Sequence, residues 1–173
     1  GGDDCWGLVG LSLAGALMSI AARRRSSSVW SAVSLAAAVI PAIIWSALLL
    51  DPDAFLRADN LVFNWMSYHY GLSLLSLLVV LRNSSAHNAA GRLHRALRVC
   101  GGGLTCLLGF AFINLLLING YSDGKRLDSW SSADLNRDLV LSLAWALYSF
   151  SLLALGTRSG VAALRWASLA FLL

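Results

Sequence analysis

Glutamate is absent from this 173-residue chain, so all nine acidic residues are aspartates, and cysteine and histidine are limited to three each. No Asp, Glu, Lys or Arg occurs in six stretches, residues 6–22, 29–50, 61–81, 99–118, 139–155 and 166–173. A charge at the centre of a membrane helix costs about 2.5–3.5 kcal/mol on insertion scales, and a soluble core does not exclude charge so completely six times over. With 58% hydrophobic residues, the composition excludes an ordinary soluble domain. There is no C-x-x-C, G-x-S-x-G, P-loop, H-E-x-x-H or dinucleotide fingerprint, and nothing resembles a nucleic-acid motif. Asp51 and Asp53 form D-P-D without the further oxygen ligands and glycine of a calcium loop, and His87 and His94 stand on a solvated segment at no ligand spacing. No metal site, cofactor or nucleic-acid partner is therefore expected, and Cys5, Cys100 and Cys106 read as packing thiols.

The apolar stretches themselves are a membrane topology. At about 1.5 Å per residue, residues 29–50 reach roughly 33 Å, enough for a hydrocarbon core of about 30 Å, and 17-residue stretches stand at the short limit. The expected fold is all-α, a polytopic transmembrane helix bundle with five complete spans and the start of a sixth. Nine of the thirteen basic residues lie in alternate gaps that contain no acid: Arg23, Arg24 and Arg25; Arg82, Arg92, Arg95 and Arg98; Arg158 and Arg165. By the positive-inside rule these gaps, residues 23–28, 82–98 and 156–165, face the cytoplasm and the N-terminus lies outside. The isoelectric point near 9.4 then reflects loops facing anionic headgroups. Membrane lipids are the first expected partners.

Further features refine the spans. Trp6, Trp30, Trp45, Trp65 and Trp166 lie near span ends, where indole favours the headgroup level, while Trp145 lies deeper with Tyr148 three residues on and reads as packing. Pro41 removes the hydrogen bond to the Ala37 carbonyl and predicts a packing kink. The small pairs Gly10 with Ala14, Ala32 with Ala36, and Thr105 with Gly109 mark faces where helices can approach. Leu93 and Leu97 among Arg92, Arg95 and Arg98 allow a short basic helix in the membrane surface as an alternative to a solvated loop. Ser131 and Asp134 give a capping-box-like start to the fifth helix, which should begin before its apolar stretch.

Ionisable groups at membrane depth mark transport paths, and His69 is the one candidate in the five complete spans. It sits in N-W-M-S-Y-H-Y, residues 64–70, where 3.6-residue spacing puts Asn64, Tyr68 and Gly71 on one face and Trp65 with His69 on the adjacent one. With Asp51, Asp53 and Asp59 close in sequence, the candidate is a polar pocket open to the outer side. The competing reading is an aromatic belt with one partly wet histidine.

The second half, from R-D-L-V-L-S-L-A-W-A to the L-R-W-A that opens the last helix, resembles a recurring segment of an uncharacterised bacterial family of predicted multi-pass membrane proteins, domain of unknown function 2339. The matching features are Ser142, Ala144 and Trp145, Leu155 and Gly156 at the helix exit, a short basic turn, and Leu164 with Arg165. Upstream, Tyr70, Gly71 and Leu72 resemble its Tyr-Gly-Leu element, with Ser73 in place of a proline, and residues 112–116 resemble another helix without its acidic residue. The resemblance implies a C-terminal fragment of a longer protein in a bacterial inner membrane, with the parent's remaining helices as partners and no activity to carry over. Residues 1–173 are then one transmembrane module, not expected to be an enzyme. The leading reading is a structural or scaffold-like module. A transporter or channel fragment using the face at residues 64–70, with its small-molecule substrate unknown, and a membrane enzyme at the outer face with His69 and an outer Asp as acid and base, are the alternatives.

Overall fold

The computed structural model describes residues 6–25, 27–48, 67–84, 92–121 and 135–172, which form six helices. They are α1 (Trp6–Arg25), α2 (Ser28–Leu48), α3 (Leu72–Ser84, entered through a π-helical turn at Ser67–Gly71), α4 (Arg92–Tyr121), α5 (Leu135–Ser159) and α6 (Ala162–Leu172). No strand occurs among the described residues. Among the described residues, four helices are long and apolar enough to cross a membrane: Trp6–Arg25, Val29–Ala47, Arg95–Tyr121 and Leu135–Ser159. The third apolar stretch is described only from Ser67, so the count of five complete spans is not established.

Consecutive helices run antiparallel. Residues 26–27 join α1 to α2, and the Ser27 amide donates to the Ala22 carbonyl at 3.2 Å. α3 lies alongside α1 and parallel to it: Trp6 meets Tyr68 and His69 at one end, and Arg23 meets Asn83 at the other. α4 returns against α2 and α3, with Gly71 beside Phe112 and Gly101 beside Leu81, Leu77 and Val39. α5 pairs with α4 through Trp145 and Tyr148, and α6 folds back on α5. This alternation carries Arg23, Arg24, Arg25, Arg82, Arg92, Arg95, Arg98, Arg158 and Arg165 to one end of the bundle, as the spacing of the basic gaps anticipates.

The core belongs to the first four helices. Leu35, Ala42, Tyr70, Leu77, Val80 and Leu108 are fully buried, and Val9, Ala38, Val39, Trp45 and Leu115 complete the cluster. The α1–α2 crossing rests on small side chains: Ser12, Gly15, Ser19 and Ala22 of α1 are buried, and a Cβ at Gly15 would stand 3.1 Å from the Ser34 carbonyl oxygen and 3.2 Å from Ala37 Cβ. The hydroxyls along this seam donate within their own helices, Ser12 to Leu8, Ser19 to Ala16 and Ser34 to Ser31, which satisfies them without water. The Gly10–Ala14 pair does not mark the crossing; both are exposed and a Cβ at Gly10 would meet nothing. In a helix this rich in small residues, several registers offer a small face, and only the partner selects one.

Two local features differ from the sequence reading. Residues 92–98 do not form a separate surface helix; they are the first turns of α4, whose 30 residues extend about 45 Å. α5 and α6 are separated by only Gly160 and Val161, so the basic turn at residues 156–165 is mostly helix. Gly160 adopts φ 70°, the left-handed conformation that ends helices at low cost for glycine. α2 runs through Pro41, which is fully buried. As anticipated, α5 is already helical at Leu135, before its apolar stretch; Ser131 and Asp134, the capping-box-like pair, lie outside the described residues.

Candidate functional site

His69 is 6% exposed and lies between two indoles, its ring centroid 5.5 Å from Trp6 and 4.8 Å from Trp45. Tyr70, the next residue, is fully buried, 5.4 Å from Trp45 between ring centroids, and its hydroxyl donates to the Trp45 carbonyl at 3.4 Å. Trp45 lies near the C-terminal end of the described part of α2. Tyr70 therefore ties α2 to the start of α3. Tyr68 points the other way, 41% exposed, and touches Trp6 at 6.3 Å. Three helix ends, from α1, α2 and the start of α3, thus close an aromatic cluster at the end of the bundle opposite the arginines.

The π turn decides which side chains meet. Because Ser67–Gly71 winds wider than an α-helix, the 3.6-residue count used for Tyr68 and Gly71 does not hold there. Gly71 faces Phe112 of α4, 3.5 Å from where its Cβ would be, while Tyr68 faces α1. They do not share a face. Asn64, Asp51, Asp53 and Asp59, the other members of the expected polar pocket, lie outside the described residues, as do Trp65 and Cys5. The structure thus surrounds His69 with aromatic rings contributed by Trp6 and Trp45, which the sequence reading assigned only to the headgroup belt. Their signal was available: the N-terminus of α1, the C-terminus of α2 and the start of the third stretch all fall on the same side of an alternating topology.

A second polar seam joins α4 to α5. The Trp145 indole donates to Asn114 Oδ1 at 2.7 Å, and the Tyr148 hydroxyl donates to the Cys106 carbonyl at 2.6 Å. Phe110 packs between Trp145, Tyr148 and Phe171 of α6, at centroid distances of 5.7, 5.8 and 4.7 Å. Trp145, 42% exposed, packs on Phe110 as the sequence reading expects and also donates a hydrogen bond at the bundle surface. Asn114 is an amide inside the apolar stretch 99–118 and was missed because it carries no charge. Hydrogen bonds of this kind contribute about 0.6 kcal/mol on average in membrane bundles, so the seam specifies the α4–α5 register more than it adds stability.

Among the described residues the ion pair is Arg137 Nε with Asp138 Oδ1, 3.2 Å, and no group of three metal-ligating side chains gathers. The chemistry on view is aromatic packing around an imidazole and hydrogen bonding between helices. No curated protein and no solved structure matches the chain. Residues 3–173 match the family described as "Predicted membrane protein (DUF2339)", and with nearly its whole length covered the chain belongs to that family of membrane proteins of unknown function.

Proposed function

We propose that the chain is a structural, scaffold-like helical module of the membrane, which holds further helices of a longer protein in place. The observation that carries this reading is the closed seam between the first four helices. Side chains from Leu35 through Leu108 fill it, and the His69 ring packs at a tilt against Trp6 and Trp45 at its end. Aromatic contacts of this kind anchor helix ends to one another. Outside the seam, Leu139, Leu143, Leu147 and Phe150 of α5 are exposed, an apolar surface suited to lipid or to neighbouring helices.

On this reading the third stretch, residues 61–81, is a fifth complete span, and α6 opens a sixth. The arginine-bearing end faces the cytoplasm of a bacterial inner membrane, and residue 1 lies outside. In a background lacking the native cysteines, Ser27→Cys and the exposed Ser159→Cys should resist an impermeant thiol reagent in intact cells, and Ser122→Cys should react. The reverse pattern would invert the topology.

The transporter reading is favoured by one observation, the π turn at Ser67–Gly71, because such turns recur at functional sites. The two readings separate at His69. Under the structural reading, His69→Gln leaves the phenotype of cells that depend on the whole protein unchanged between pH 6 and pH 8, conditions that span the titration of an ordinary imidazole at about 6.5. Gly109→Leu, by contrast, lowers the amount of assembled protein, since a Cβ there already stands 3.1 Å from the Tyr148 hydroxyl oxygen. Loss of the phenotype by His69→Gln at unchanged protein level would favour transport, or the third reading of an enzyme at the outer face.

A further inference from the structure

We propose that the arginine-bearing end of α1 holds an anionic phospholipid, its phosphate between Arg24 and Arg25 and an acyl chain along Leu17 and Ala21. Three consecutive arginines on a helix point in different directions, and here they divide their roles. Arg23 turns toward α3, where its Nη1 donates to Asn83 Oδ1 at 3.3 Å, and Asn83 Nδ2 in turn donates to Ser19 Oγ at 3.0 Å. That bridge ties the ends of α1 and α3 together.

Arg24 and Arg25 are exposed and have no ion-pair partner among the described residues. Two adjoining grooves lead to them and share Ala21 and Arg25. One runs over Leu17 and Ile20 to Arg24; the other lies between α1 and α2 and is walled by Met18 and Trp30. The floor is apolar and faces outward, with Leu17 70% exposed, so at this depth lipid is the neighbouring molecule. Trp30, 48% exposed, stands where an indole favours the headgroup level. An acyl chain matches the floor, and the two exposed guanidiniums at its end match phosphate oxygens, which their fork geometry binds in bidentate fashion. Charge complementarity on an apolar groove is what distinguishes an anionic phospholipid from a zwitterionic one. The inference rests only on embedding in a membrane, so it stands or falls separately from the structural role proposed above.

The test is native mass spectrometry of the detergent-solubilised protein with phosphatidylglycerol and phosphatidylcholine of identical acyl chains. The wild type should prefer phosphatidylglycerol, and Arg24→Gln with Arg25→Gln should weaken that preference about tenfold or more, since each basic residue near the surface contributes on the order of 1 kcal/mol. Arg98→Gln with Arg158→Gln removes the same charge from the same end of the bundle, at positions that line neither groove, and should leave the preference unchanged. Ala21→Phe, which blocks the groove floor without altering charge, should weaken retention of both lipids. Equal losses in the two double variants, an unaffected Arg24→Gln with Arg25→Gln protein, unaltered retention in Ala21→Phe, or displacement of the lipid by millimolar inorganic phosphate would each overturn the proposal.

Discussion

Tyr70→Ala is expected to destabilise the bundle by about 3–5 kcal/mol, the usual range for removing a fully buried aromatic ring. Tyr70 has no exposed surface, and its ring fills the space between α2 and α3 beside Trp45. Truncation leaves a void where three helix ends converge, and the ring of His69 loses the support that fixes Trp45 against it. The hydroxyl is the smaller part of the effect. Its bond to the Trp45 carbonyl is long, 3.4 Å, so Tyr70→Phe should cost only about 0.5–1.5 kcal/mol. Reversible denaturation in mixed micelles separates the two. A Phe variant as damaged as the Ala variant would show that the interhelical hydrogen bond, not packing, is the main role of this residue.

Gly156→Ala is the second large effect, and it runs against helix propensity. In an exposed helix the change would stabilise by up to about 1 kcal/mol. At Gly156 the added Cβ would lie 2.9 Å from Arg165 Cγ, 3.0 Å from the Arg165 backbone nitrogen and 3.0 Å from Leu164 Cβ. The arginine stem can swing away, but the backbone nitrogen moves only if α6 lifts off α5. The expected net loss is about 1–3 kcal/mol, typical of overpacking, with Gly156→Leu worse. Gly10→Ala supplies the contrast, because nothing lies within 4 Å of a Cβ there and propensity should prevail. Thermal unfolding in detergent checks the pair: Gly156→Ala should lower the midpoint and Gly10→Ala should hold or raise it. A rise in both would mean that α6 does not rest on α5 at this point.

Helix class, the approximate limits of the apolar helices and the gathering of arginines at one end were all legible in the sequence. Each depends on a local or additive property: charge is excluded from hydrocarbon wherever it occurs, and alternation of gaps needs no knowledge of contacts. The resemblance of residues 137–170 to an uncharacterised membrane family was legible for the same reason, since apolar helices with a basic turn form a linear pattern, and that membership holds across residues 3–173. What tertiary structure decided was which of many equivalent small and aromatic residues meet. Gly15 and not Gly10 marks the α1–α2 crossing because Ser34 and Ala37 stand opposite it. His69 and Tyr70 turn inward together while Tyr68 turns out, because a π turn breaks the 3.6-residue count on which a face was read. Trp145 reaches Asn114, 31 residues away in sequence, only because α4 and α5 run antiparallel in one particular register. Burial and hydropathy place a residue at a depth in the membrane; its azimuth around the helix is set by the neighbour it packs against, and that neighbour is not encoded locally.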